Sequence, residues 1–101
     1  MLKHKKQRDT LVVCLEGELD HHCAQTVRQE LDQLIEDERV RNLVIDMQGL
    51  TFMDSSGIGV LIGRYRTISR RDGRMAVRNM SPHVERIFQL SGLQRIIEKV
   101  R

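Results

Sequence analysis

The segment "LTFMDSSGIGVLIGRYR", residues 50–66, joins an apolar run to a pattern typical of a helix. Asp54, Ser55 and Ser56 stand between the two. All three are favourable N-cap residues, because their side chains accept hydrogen bonds from the free amides at a helix N-terminus. A cap needs only one such side chain. The turn is therefore either a plain helix cap or a cap that also carries a functional site, and the surplus of polar groups favours the second interpretation.

The elements on either side of this turn are a strand and a helix. The run "NLVIDM", residues 42–47, is short and apolar nearly throughout, which is typical of a central parallel strand covered on both faces. In the helix, Gly59 and Gly63 lie one turn apart, and glycine costs about 1 kcal/mol per interior helical site relative to alanine. The pair therefore predicts close packing of the helix backbone against the sheet. The helical stripe itself consists of Ile58, Leu61, Ile62, Tyr65 and Ile68.

The segments before this turn repeat the alternation of strand and helix. "LVVCLEG", residues 11–17, is β-branched and apolar and predicts a strand. Asp20 is placed to cap the following helix, whose apolar stripe comprises Ala24, Val27, Leu31, Leu34 and Ile35.

The segments after the turn predict a strand, a helix and a short final element. "GRMAVRNM" reads as a strand, and "SPHVERIFQLSG" as a helix with Ser81 as N-cap, Pro82 at the first position and Gly92 as the stop. The tail "LQRIIEKV" predicts a short strand or a turn of helix that packs Ile96 and Ile97. The order of elements predicts one α/β layer structure with right-handed crossovers over residues 1–101.

The carboxyl ends of the strands are where sites form in such sheets. Residues 54–57 follow one strand, and Asp20 and His21 follow another, so we expect them at the same edge. Asp20 and His21 are then expected near the same loop, where they form either part of a site or a cap and a solvated pair.

Composition and charge limit the functional classes. The 101 residues match one domain, no run approaches the roughly 20 apolar residues that span a bilayer, and the charged start has no apolar signal segment. We therefore expect a cytoplasmic protein that needs no membrane. Cys14 and Cys23 are expected to be reduced. Seventeen Lys and Arg against fourteen Asp and Glu give a net charge of +3, and the basic stretch Arg64–Arg74 leaves nucleic-acid binding as a weak alternative.

Enzymatic chemistry has little support in the sequence. Ser55 or Asp54 as a nucleophile would need a general base, and the histidines are poorly placed for that role. "DHH" at residues 20–22 lacks further metal ligands, so no metal site is predicted. Neither a phosphate-binding P-loop nor a dinucleotide fingerprint is present, so no cofactor is expected. An exposed serine at a helix N-terminus is, by contrast, a favourable phosphate acceptor, because free amides and the helix dipole stabilise the added anion.

Three segments, "GELDHHCAQTV", "FMDSSGIGVLIGRYR" and "SPHVERIFQLSGL", resemble in order and spacing the anti-sigma factor antagonists of the STAS domain family. The resemblance covers about residue 9 to the end. It implies a single STAS-type α/β domain, with a mixed β-sheet of about four to five strands packed against helices. It also implies a regulatory protein that is not an enzyme.

The resemblance further implies a phosphorylation switch. In that family the serine directly after the aspartate is phosphorylated, which here is Ser55. The resemblance thus implies that either Asp54 or Ser56 caps the helix and leaves Ser55 free, with Asp20 and His21 at the rim of the partner surface. The unphosphorylated protein binds an anti-sigma factor that is also a serine kinase, and a serine phosphatase restores the active form. "GELDHH" and "GRYR" favour the branch that acts on sigma F in sporulation, and a stress-response pathway is the alternative. The expected partner-binding residues are Asp20, His21, Asp54, Ser55, Ser56 and Gly57.

Overall fold

Residues 2–101, the part of the chain that the computed structural model describes, form a five-stranded mixed sheet with three helices. The strands lie in chain order, with β1 antiparallel to β2 and all later pairs parallel. The predicted α/β architecture is confirmed. The elements are β1 (Leu2–Gln7), β2 (Thr10–Leu19), α1 (Ala24–Ile35), β3 (Asn42–Met53), α2 (Ser55–Ser69), β4 (Arg74–Arg78), α3 (Pro82–Leu90) and β5 (Glu98–Val100).

The three helices lie on the same face of the sheet. Each crossover joins neighbouring parallel strands in the same direction, and right-handed connections then place every helix on one side. Val13, Ile45 and Val77 are register neighbours on β2, β3 and β4, and all three are fully buried beneath the helices. Val44 on the opposite face of β3 is only half-buried. The expectation that this strand is covered on both faces is therefore wrong.

No sequence pattern predicts the first strand, β1, which lies in the polar start of the chain. β1 is an edge strand whose backbone pairs with β2 from Leu2 to Gln7, and five of its six residues are exposed. Lysines on an exposed edge strand discourage pairing with another chain. Because almost nothing on β1 is buried, it lacks the apolar alternation by which strands are recognised.

Gly59 and Gly63 of α2 do not mark close packing, and this prediction is also wrong. A Cβ built on Gly59 or Gly63 meets no atom of the described residues within 4 Å, apart from its chain neighbours and the backbone of its own helix. The close approaches are at Gly49, Gly57 and Gly73, and a Cβ at Gly73 would lie only 2.1 Å from the carbonyl oxygen of Arg41. That oxygen accepts the amide of Arg74 at 2.8 Å, so Gly73 allows the chain to enter β4.

The C-terminal part of the chain agrees with its sequence signals, except at Ile96. Ser81 caps α3 by accepting the amide of Val84 at 3.2 Å, and Pro82 opens the helix. Gly92 takes a positive φ of 81° after it. The tail forms both a 3₁₀ turn and β5. Ile97 is buried at 1% exposure, whereas Ile96 is 46% exposed and does not join the core.

A pair of glycine substitutions tests this packing. Gly63→Ala should raise the free energy of unfolding by about 0.5–1 kcal/mol, because alanine is the better helix former and the new methyl group meets open space. Gly73→Ala should lower it by about 1–3 kcal/mol, because the methyl group overlaps a backbone oxygen. Urea denaturation of both variants measures the difference. Equal losses in the two variants would contradict the packing described.

Candidate functional site

The junction between β3 and α2 is held by the Asp54 side chain. β3 ends at Met53 and α2 begins at Ser55, with Asp54 between them in an extended conformation. One oxygen of its carboxylate, Oδ1, accepts the backbone amides of Ser56 at 2.8 Å and Gly57 at 3.3 Å. These are two of the amides that a helix N-terminus leaves unpaired. Of the two predicted candidates, Asp54 and not Ser56 is the cap.

Ser55 is left with a free hydroxyl by this arrangement. It is the first residue of α2 and it is exposed, whereas Ser56 is half-buried. None of the hydrogen bonds found among residues 2–101 involves the hydroxyl of Ser55. The Ser55 hydroxyl is therefore accessible from solvent.

Gly57 positions this turn against the end of β2. Leu19, the last residue of β2, pairs with Met53, and its carbonyl oxygen accepts the amide of Asp54 at 3.4 Å. A Cβ at Gly57 would lie 2.7 Å from that same oxygen. Only glycine lets the first turn of α2 come so close to β2. Gly57 is buried, so its contribution to a partner surface would be indirect.

Asp20 and His21 follow Leu19 directly and so lie at the same edge of the sheet, as expected. Asp20 does not act as the N-cap residue of α1, which is Cys23. Its carboxylate instead accepts the amides of His22 at 3.0 Å and Cys23 at 3.2 Å, and closes the turn before the helix. Partial burial raises the pKa of Asp20, but these amide hydrogen bonds outweigh it and hold the pKa below its ordinary value. His21 is exposed, with its ring centroid 3.9 Å from that of His22.

An apolar cleft of about 460 Å³ lies beside Ser55. Leu90 is 76% exposed and Phe52 is 37% exposed at this cleft, which is unusual for large apolar side chains. The sequence interpretation missed the cleft, because no pattern in the sequence links Phe52 of β3 with residues of α3. The residues that line it include Phe52, Ser55, Ile58, His83, Ile87 and Leu90.

The geometry of the described residues gives little support to nucleophilic catalysis or to metal binding. His83 lies in the same cleft as Ser55 but makes no hydrogen bond to it among the described residues, as a general base would. Residues 2–101 contain no cluster of three His, Cys, Asp or Glu side chains that could hold a metal ion.

In the basic stretch Arg64–Arg74, the candidate nucleic-acid surface, some side chains are buried or make hydrogen bonds within the fold. Arg64 is buried at 7% exposure. Arg71 donates to the carbonyl oxygens of Val40 at 2.9 Å and Asp37 at 3.2 Å, and also to that of Ile35. These two side chains are thus unavailable to a phosphate backbone. None of the helices in the described range is long and apolar enough to cross a bilayer.

Comparisons with known proteins agree with one another. The anti-sigma F factor antagonist of Paenibacillus polymyxa is 41% identical over 96 residues, which are 95% of this chain and 82% of that protein. The unphosphorylated form of the anti-sigma factor antagonist SpoIIAA has a TM-score of 0.86 and 34% identity, over 100% of this chain and 89% of that one. The phosphorylated form of SpoIIAA, a Bacillus cell fate determinant, has a TM-score of 0.77 and 33% identity, over 100% and 92%. The STAS domain family model matches residues 2–101, and the chain belongs to this family.

Proposed function

We propose that this protein is an anti-sigma factor antagonist switched by phosphorylation of Ser55. The unphosphorylated form binds an anti-sigma factor that is also a serine kinase, and the sigma factor is released. The kinase then phosphorylates Ser55 and the complex dissociates, until a serine phosphatase restores the active form. The protein itself catalyses no reaction and acts in the cytoplasm, where transcription takes place. The observation that carries this proposal is the free hydroxyl of Ser55 beside the Asp54 cap.

The electrostatics at the N-terminus of α2 are favourable for a switch that adds a phosphate. A phosphate adds about −1.5 to −2 charges at pH 7. At the N-terminus of a 15-residue helix the dipole favours a negative charge by roughly 0.3–1 kcal/mol. Phosphorylation there changes the surface charge sharply while the fold stays intact.

The surface around Ser55 combines polar and apolar elements, as partner surfaces do. Asp20 and His21 lie at the end of β2, and Asp54 and Ser56 lie on either side of Ser55. Gly57 supports this surface from below by holding α2 against Leu19. The cleft next to Ser55 adds the apolar area. We propose that the anti-sigma factor covers both parts, so that the phosphate acceptor lies inside the interface.

The choice of pathway rests on similarity. The 41% identity to the anti-sigma F factor antagonist of Paenibacillus polymyxa favours sigma F and sporulation. The solved phosphorylated and unphosphorylated forms of SpoIIAA support a modification cycle. An antagonist in a stress-response pathway would share the mechanism and differ only in its partner.

Phosphorylation is expected at Ser55 and not at its neighbour. Incubation with the anti-sigma kinase and ATP, followed by mass spectrometry, should locate a single phosphate on Ser55. Ser55→Ala should abolish labelling, because the acceptor oxygen is gone. Ser56→Ala should keep most of it, since the Ser56 hydroxyl forms no part of the Asp54 cap. Labelling that survives in Ser55→Ala and disappears in Ser56→Ala would overturn the assignment.

A negative charge at position 55 should weaken binding to the anti-sigma factor. An unfavourable contact between like charges ~4 Å apart, at an effective dielectric near 20, costs about 4 kcal/mol, or close to a thousandfold in Kd. Ser55→Asp should therefore bind substantially more weakly than the wild type, by up to about that factor. Ser55→Asn has a similar shape without the charge and is the matched control, which should bind nearly as well as the wild type.

Titration calorimetry of the three proteins against the kinase decides this point. High ionic strength should recover only part of the Ser55→Asp loss, because a contact buried in the interface is poorly screened. Equal affinities for the wild type and Ser55→Asp would place Ser55 outside the interface.

A further inference from the structure

His83 and Ser55 line the same cleft although they come from different helices. Ser55 is the first residue of α2, and His83 lies in the first turn of α3. The His83 ring stacks on Phe52, with ring centroids 5.5 Å apart and planes at 21°. Phe52 is on β3, two residues before Asp54. The two stacked rings therefore form part of the wall of the cleft that Ser55 also lines.

The His83 side chain has no polar partner in the described residues. It is exposed, and within residues 2–101 the Phe52 ring is its only aromatic contact. A protonated imidazole has two N–H donors and no acceptor. A histidine that makes no side-chain hydrogen bond and lines the same cleft as Ser55 is free to turn toward an anion placed there.

The charged groups around the cleft are few. Asp54 is committed to the cap of α2, and α2 has no ionisable side chain before Arg64. On α3, Glu85 forms an ion pair with Lys99, and Arg86 is exposed but does not line the cleft. No Lys or Arg among the described residues lines the cleft, so His83 is the one basic side chain there that a phosphate on Ser55 would meet.

We propose that His83 is the intramolecular partner of the phosphate on Ser55, with the imidazolium donating a charge-assisted hydrogen bond to a phosphate oxygen. Such bonds are about twice as strong as those between neutral groups. The pairing draws the phosphate over the apolar cleft, so that the modification also removes apolar surface from the partner. The inference rests on the proposed phosphorylation of Ser55, and it adds pH sensitivity to the inactive form.

The test uses phosphoserine incorporated directly at position 55 by codon reassignment, so that no kinase is needed. The ring protons of the histidines are followed by NMR as a function of pH in the phosphorylated and unmodified proteins. The titration midpoint of His83 should rise by about one pH unit on phosphorylation, as an opposite charge within hydrogen-bonding distance produces. His4 on β1 serves as the internal control and should keep its midpoint. A rise at His21, which lies at the same sheet edge as Ser55, with none at His83 would make His21 the partner and the proposal wrong. The same His83 midpoint in both proteins would refute the pairing.

A second measurement follows the phosphate by ³¹P NMR. Its second protonation midpoint should lie higher in His83→Gln than in the wild type, because the neutral amide does not favour the dianion. Arg86→Gln is the matched control, since it removes a cation from the same helix face, and it should leave the midpoint unchanged. A shift in Arg86→Gln and none in His83→Gln would make Arg86 the partner and the proposal wrong. A negative result for His83 would not change the expected kinase labelling of Ser55 or the affinity of Ser55→Asp. It can therefore be distinguished from failure of the proposed function.

Discussion

The hydrogen bonds that the Asp54 carboxylate accepts from the amides of Ser56 and Gly57 are the constraint on which the site depends. They begin α2 immediately after β3 and use the one side chain that a cap requires. If a serine hydroxyl had to accept hydrogen bonds from those amides, it would point toward the helix N-terminus and would not be accessible to modification. With Asp54 in that role, Ser55 lies at the positive end of α2 with an exposed hydroxyl.

The sheet makes this junction rigid. Leu19 at the end of β2 accepts the amide of Asp54 and packs against Gly57, so α2 cannot shift without disturbing the strand pairing. The same geometry brings Asp20 and His21 to the edge where Ser55 lies. On its other side α3 contributes the wall of the apolar cleft. Three separate parts of the chain therefore meet around one hydroxyl, which is what a modification that controls binding needs.

The parts that the sequence predicts are those whose signals are local. Ser81, Pro82 and Gly92 define α3 because capping chemistry acts over a few residues, and Asp54 and Ser55 were recognisable for the same reason. The sequence pattern does not predict β1, because an exposed edge strand buries almost none of its side chains. The openness around Gly59 and Gly63 depends on packing that no local pattern encodes. The meeting of His83 with Phe52 is likewise a product of tertiary structure.

The central claim is that Asp54 holds the N-terminus of α2 and so leaves Ser55 free. Amide hydrogen exchange at Ser56 and Gly57 tests it most directly, in Asp54→Ala with Asp54→Asn as control. The loss of a cap worth about 1 kcal/mol should speed exchange at both amides roughly fivefold in the alanine variant. The asparagine variant should stay near the wild type, because its side-chain oxygen is still an acceptor. Unchanged exchange in Asp54→Ala would contradict the account, since another group would then be capping α2.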